Sequence, residues 1–305
     1  MHAHRPLTEG KHRAMIPRLA MPPAVVTDSV ACLPRELAER YAIRIVPVNV
    51  LFEGQVYRDW VDLTPSLAYE MLRKNPSGFS TSSPSPQEFL DVFREVGQRS
   101  REILCITMSS RLSTLYNAAI VASRMLEKEL PGTKIEVVDS QTVAGGNGLI
   151  AWLMALKGEG GASLREMARM AEEMKGRVYV FVALETLRHV HRTGRIPKVA
   201  STLGSLLPVK PMLSVRGGLV HFLSVARTRE KALRHLLELM EERVGQEPVW
   251  AIISHAACPE EAEKFRGMVA SRFPRVEAHI SEFSPIMGYA TGPGTLALAF
   301  YSEKA

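Results

Sequence analysis

From Ala24 onward the chain alternates short apolar runs with amphipathic segments. AVVT, IRIVPVNVLF, EILCIT and KIEVVDS have strand character, whereas LPRELAERY, PSLAYEMLR, PQEFLDVFREVGQ and LYNAAIVASRMLEKEL carry apolar residues at helical spacing. Strand and helix in turn predict a parallel sheet covered by helices, and ligands of such sheets bind beyond the carboxyl ends of the strands. Three predicted strand ends are small and polar: Thr27, Asp28 and Ser29; Thr107 to Ser110; and Asp139 with Ser140. In a parallel sheet these share one edge. The five hydroxyls of TMSSRLSTLYN, residues 107–117, therefore fall on a strand-to-helix turn. A hydroxyl there either caps the helix or joins free backbone N–H groups in holding an anion.

After about residue 177 the texture changes. RVYVFVAL, LLPVKPMLSV, LVHFLSVA, VWAIISH and VEAHISEF are strand candidates with three or four helices between them, and Gly217-Gly218 predicts a hairpin turn. GEGGAS at 158–163 reads as a loop, and no internal repeat is present. The expected organisation is a flexible basic extension over 1–22, an N-terminal α/β domain over 23–177 and a C-terminal mixed α/β domain over 178–305.

Composition narrows the classes. A chain of 305 residues with 46% hydrophobic side chains can fill a real core. Lys plus Arg number 38 against 32 for Asp plus Glu, a net +6 scattered along the chain apart from the basic first nineteen residues. No basic stripe is interleaved with aromatics, so no nucleic-acid partner is expected. Cys32, Cys105 and Cys258 are far apart and lie in or near apolar runs, as reduced cysteines of a cytoplasmic protein do. No CxxC, HExxH or other metal-ligand spacing occurs, so no metal is expected. The basic N-terminus lacks an apolar export segment, and no stretch approaches eighteen uninterrupted apolar residues. At most transient membrane contact is expected.

The common catalytic signatures are missing: no GxSxG, no GxxxxGK[ST] and no GxGxxG after a strand. Asp28 with Ser29, or Asp139 with Ser140, could serve acyl transfer or could simply form strand-end turns and caps. His255 and His279 read as strand histidines. Two further runs bear chemistry. SGFSTSSPSPQEF at 77–89 holds six hydroxyls and two prolines, a stiff polar loop able to orient a ligand. In HVHRTGRIPKV, Gly194 lets the backbone bend beside Arg195, which is either a solvated charge or a fork for a carboxylate or phosphate.

The ordered set VVTDS, TSSPSP, SSRLSTLYNAA, VVDS, ETLRHVHRTGRI, LLPVKPML, ARTREKAL and GYATGPGT resembles the DegV family of bacterial fatty-acid-binding proteins over residues 24 to 302. The resemblance implies an α/β fold of two domains, an N-terminal Rossmann-like parallel sheet with covering helices and a C-terminal mixed α/β domain that binds lipid. It implies one bound long-chain fatty acid, such as palmitate, stearate or oleate, and no cofactor. It also implies a carrier that presents the acid to a separate fatty acid kinase subunit, which phosphorylates the carboxylate. Carried over by position, Thr81, Ser82, Ser110 and Arg195 meet the carboxylate, with Asp28 and Ser29 at the same strand-end cleft.

Burying a sixteen-carbon tail offers roughly 11 kcal/mol before binding costs. Each charge-assisted hydrogen bond adds about 1.5 to 3 kcal/mol, so the tail supplies affinity and the polar groups orientation. The alternative is an enzyme acting on a small phosphorylated or acylated metabolite through Asp28, Ser29 and Arg195. The chain departs from the family pattern at Ala290, where members commonly carry histidine. It departs again at Ser83 in place of glutamine, and at Thr114 and Leu115 in place of glycine and threonine.

Overall fold

A computed structural model describes residues 21–195, 209–245 and 247–304. The expected extension over 1–22 falls outside the described residues except for Met21 and Pro22, as do Ile196 and the beginning of LLPVKPML. The first half contains β1 (Ala24–Asp28), β2 (Arg44–Val46), β3 (Asn49–Phe52), β4 (Gln55–Arg58), β5 (Phe79–Ser82), β6 (Glu102–Thr107) and β7 (Lys134–Asp139). Its helices are α1 (Arg35–Arg40), α2 (Pro65–Lys74), α3 (Pro86–Gly97), α4 (Leu115–Glu129), α5 (Gly145–Glu159) and α6 (Leu164–Met174). The second half contains β8 (Tyr179–Ala183), β9 (Lys210–Arg216), β10 (Leu219–Ala226), β11 (Val249–His255), β12 (Val276–Glu282) and β13 (Leu296–Tyr301), with α7 (Arg229–Val244), α8 (Pro259–Arg272) and α9 (Pro285–Thr291).

The alternation in the first half produces the expected all-parallel sheet, in the order β2-β1-β6-β7. Its central strand β6 is buried along both faces, which is why EILCIT reads as one apolar run rather than an alternation. Helix starts follow the local chemistry. Ser85 and Glu88 cap α3 reciprocally with Pro86 at its first position, and Ser163 and Glu166 do the same for α6.

The second half forms a six-stranded mixed sheet, β10-β9-β8-β13-β11-β12, in which only β11 and β12 pair in parallel. The β9–β10 hairpin turns on Gly217 and Gly218 with φ of +57° and +78°, the positive values that such a turn requires.

One part differs from the sequence reading. IRIVPVNVLF is broken at Pro47 into β2 and β3, because proline cannot donate to a sheet ladder. β3 then pairs antiparallel with both β4 and β5 in a separate three-stranded sheet. Of the hydroxyl segment expected as a loop, Phe79–Ser82 is thus strand, and Ser83, Pro84 and Ser85 form the short connection to α3, which starts at Pro86.

A continuous apolar core joins the parallel sheet to one face of the six-stranded sheet, while α7 and α8 cover the opposite face of the latter with Leu236, Met240, Phe265 and Val269. The joint is α5, apolar all round and packed against β1 and β6 on one side and β8, β11 and β13 on the other. Its close approach depends on Gly148, where a Cβ would lie 2.6 Å from the Ala31 carbonyl oxygen. Among the described residues no helix is long and apolar enough to cross a membrane.

Candidate functional site

The carboxyl edge of the parallel sheet is a hydrogen-bonded frame. Asp28, fully buried, accepts from the backbone N–H of Met108 at 2.8 Å and of Val30 at 3.1 Å, and from Asn147 Nδ2 at 3.4 Å. Burial pushes its carboxyl up to about 6 even though these donors pull the other way. Ser29 Oγ accepts from the Val48 N–H at 3.1 Å. Both residues therefore shape the cleft from behind, and neither lines the cavity described below. Cys32 is buried too, its thiol pushed up to about 12, so it stays protonated.

The five hydroxyls of the strand-to-helix turn divide their tasks. Thr107 is buried in β6. Ser109 Oγ donates to the Gly218 carbonyl at 2.7 Å and ties the turn to the β9–β10 hairpin, which Arg111 also grips through the Gly217 carbonyl at 2.9 Å. Ser110 is occupied by Asp139: its hydroxyl donates to Oδ2 at 2.6 Å and its N–H to Oδ1 at 3.1 Å. Ser113 faces Ser83 with 2.9 Å between the hydroxyl oxygens. Thr114 sits at the helix cap position without a side-chain capping bond, so the first N–H groups of the 15-residue α4 are left for another acceptor.

Between the two sheets lies a cavity of about 290 Å³, near the lower end of the ~300–1,000 Å³ usual for small-molecule sites. Its walls are apolar and come from distant segments: Val30, Met108 and Val143 from the parallel-sheet side, Val182, Leu213, Val215 and Val220 from the mixed sheet, and Ile286 and Met287 from α9. Its polar side is formed by Ser80, Thr81, Ser82, Ser83, Ser113 and Thr193 with Arg195, the one charged side chain among the described lining residues. Arg195 Nη1 donates to the Thr193 carbonyl at 2.6 Å and Nε reaches the Leu112 carbonyl at 3.5 Å. Among the described residues no carboxylate pairs with this exposed guanidinium. A long apolar body with one anionic end matches such a surface.

Of the six candidate residues, the structure brings Thr81, Ser82 and Arg195 to the cavity and leaves Ser110, Asp28 and Ser29 outside its lining. Sequence reasoning missed Ser113, Thr193 and Ser80, although each stands within a run already singled out. Ala290, the departure from the family pattern, lines the cavity as well. Because its hydroxyl is held by Asp139, Ser110→Ala is expected to change affinity for an anionic ligand less than about twofold. It should cost about 0.5 to 1.5 kcal/mol of stability, and parallel ligand titration and urea unfolding would separate the two effects. Among the described residues no cluster of His, Cys, Asp and Glu could hold a metal ion.

The profile of the DegV family, described as uncharacterised proteins, matches residues 23–303. A DegV domain-containing protein of Streptomyces coelicolor is 32% identical over 283 residues, covering 92% of this chain and 98% of its own. Among solved structures, a DegV family protein from Thermus thermophilus described by its fatty acid binding superposes with a TM-score of 0.84 at 30% identity, over 92% of this chain and 100% of its own. A stearic-acid-binding protein from Eubacterium ventriosum reaches a TM-score of 0.84 at 25% identity, over 92% of this chain and 98% of its own. With its parallel sheet, its mixed sheet and the profile spanning nearly its whole length, the chain belongs to the DegV family.

Proposed function

We propose that the protein binds one long-chain fatty acid, the tail buried between the N-terminal (23–177) and C-terminal (178–305) domains and the carboxylate held by hydroxyls and Arg195. The observation that carries this reading is the cavity's division into apolar walls and one hydroxyl-rich side that holds a guanidinium with no carboxylate partner among the described residues. The fatty acids named for its relatives from Thermus thermophilus and Eubacterium ventriosum have the same two-part chemistry.

The head group meets Thr81, Ser82, Ser83, Ser113 and Arg195, and the uncapped start of α4 adds a positive end nearby. Arg195 is exposed, so the carboxylate sits at the mouth, where a separate kinase subunit can reach it. The protein is then a cytoplasmic carrier and the partner performs the chemistry. The alternative of an enzyme acting through Asp28, Ser29 and Arg195 has less support, since Asp28 and Ser29 hold backbone N–H groups and lie outside the cavity lining that Arg195 joins.

Protein purified from a heterologous host should carry stoichiometric fatty acid, identified by native mass spectrometry followed by solvent extraction. An empty protein that takes up no added palmitate refutes the reading. Arg195→Ala is expected to weaken palmitate binding roughly 10- to 100-fold, the loss of one charge-assisted contact. An unchanged affinity removes Arg195 from the clamp.

A further inference from the structure

A second cavity, of about 280 Å³, lies behind the first. Ser29 and the start of α9, Ser284 and Pro285, form one side of it; the neighbouring residues Val30, Ile286 and Met287 line the lipid cavity. Its character is opposite. Three carboxylates border it, those of Asp59, Glu36 and Glu282, against a single guanidinium, that of Arg35. Arg35 is engaged elsewhere, stacked 4.4 Å over the Trp60 ring and reaching the Trp60 carbonyl at 3.4 Å.

Asp59 is the unusual member. It is 2% exposed, and its Oδ2 has no hydrogen-bond partner among the described residues. A buried carboxylate oxygen left bare is costly, and native proteins retain such groups chiefly where a ligand, ion or water completes them. Leu63 and Ile280 add apolar wall, and the Ser281 and Ser284 hydroxyls add acceptors. The described residues offer no group able to hold a metal ion. One unpartnered carboxylate oxygen, surplus negative charge and an apolar wall fit a small organic cation that can donate hydrogen bonds.

We infer that this cavity is a binding site for a primary ammonium compound, whose nitrogen donates to Asp59 Oδ2 while its carbon body lies against Leu63 and Ile280. Burial pushes the Asp59 carboxyl up to about 7, against the pull of Ser29, the Trp60 backbone and Ser284, with Asp28 reinforcing the rise. Burial also raises Glu282. A bound cation favours the ionised carboxylate, so binding near neutral pH releases a proton and strengthens as pH rises.

The test is isothermal titration of the full-length protein with n-butylammonium, free of Tris and other primary amines, near pH 7 in phosphate and in HEPES. Saturable one-site binding is expected, with a buffer-dependent heat that reports proton release, while n-butanol and butyrate do not bind. Asp59→Asn should weaken binding roughly tenfold or more, by loss of a charge-assisted bond. Glu282→Gln, a gentler change at an exposed position on the rim, should weaken it severalfold and decides the matter if Asp59→Asn fails to fold. Absence of saturable binding, wild-type affinity in the folded variants, or displacement of butylammonium by palmitate would overturn the assignment. The last result would place the amine in the lipid cavity.

Discussion

Val220→Trp is expected to abolish tight binding of palmitate while sparing shorter acids. Val220 lies on β10, the edge strand of the six-stranded sheet, paired with Val215 on β9, and both line the lipid cavity. Because Val220 is only partly buried, an indole there meets the cavity before it meets tightly packed core. It would occupy the length of roughly four methylenes, and at ~0.8 kcal/mol each the lost burial is about 3 kcal/mol, a weakening of roughly 200-fold. An acid of about ten carbons leaves that volume empty in the wild type, so its affinity should change little. Fluorescence or calorimetric titration with a chain-length series checks this. Equal losses for long and short acids would point to a distorted head-group site, and no loss at all would take the tail away from β10.

The same cavity shows how far the sequence could be read. Alternating strand and helix signals predicted the parallel sheet, because each element's periodicity is local to it. The Gly217-Gly218 turn was legible for the same reason. Local composition marked the hydroxyl run at 77–89 and the Gly194-Arg195 turn, whereas Thr81 and Ser82 within that run were named by the family resemblance; the fold carries all three residues to one cavity. What periodicity does not encode is which hydroxyl is already spoken for. Ser110 and Ser113 are three residues apart in one run, yet the first is held by Asp139 and the second faces Ser83, and those partners are distant in sequence.

The apolar walls were unreadable for a related reason: Val143, Leu213 and Met287 look like ordinary core positions until the two sheets are placed face to face. Asp59 was missed altogether. In YRDWVD it reads as one charge of a polar turn, and only tertiary packing over it by residues near 30 and 284 makes it buried.

That burial has a consequence for stability that runs against the usual acid sensitivity of proteins. Burial lifts Asp28 from 3.8 to about 6 and Asp59 from 3.8 to about 7. Between roughly pH 4 and these values the folded protein keeps protons that the unfolded chain has released, so stability falls as pH rises through the window and levels off above about pH 7. The difference is worth at most roughly 3 kcal/mol for Asp28 and roughly 4 kcal/mol for Asp59. Glu282, also raised by burial, acts in the same direction. His255, lowered by burial, acts in the opposite one near its ordinary range, and the lowered carboxyls of Asp62, Glu88 and Glu166 act only at more acid pH.

The thermal midpoint in amine-free buffer is therefore expected to drop by roughly 5 °C or more between pH 5 and pH 8. Asp59→Asn keeps the shape and removes the ionisation, so it should be more stable than the wild type at pH 8, by up to about 4 kcal/mol, and should lose that advantage near pH 4. Asp28→Asn is no substitute, because an amide offers one carbonyl oxygen where both carboxylate oxygens now accept backbone N–H groups. A flat midpoint across this range, with no gain from Asp59→Asn at high pH, would mean that water or a bound cation already completes the Asp59 carboxylate. A gain at pH 8 would show that the fold bears a cost at Asp59 that packing alone does not require, as expected where a residue is kept for what it binds.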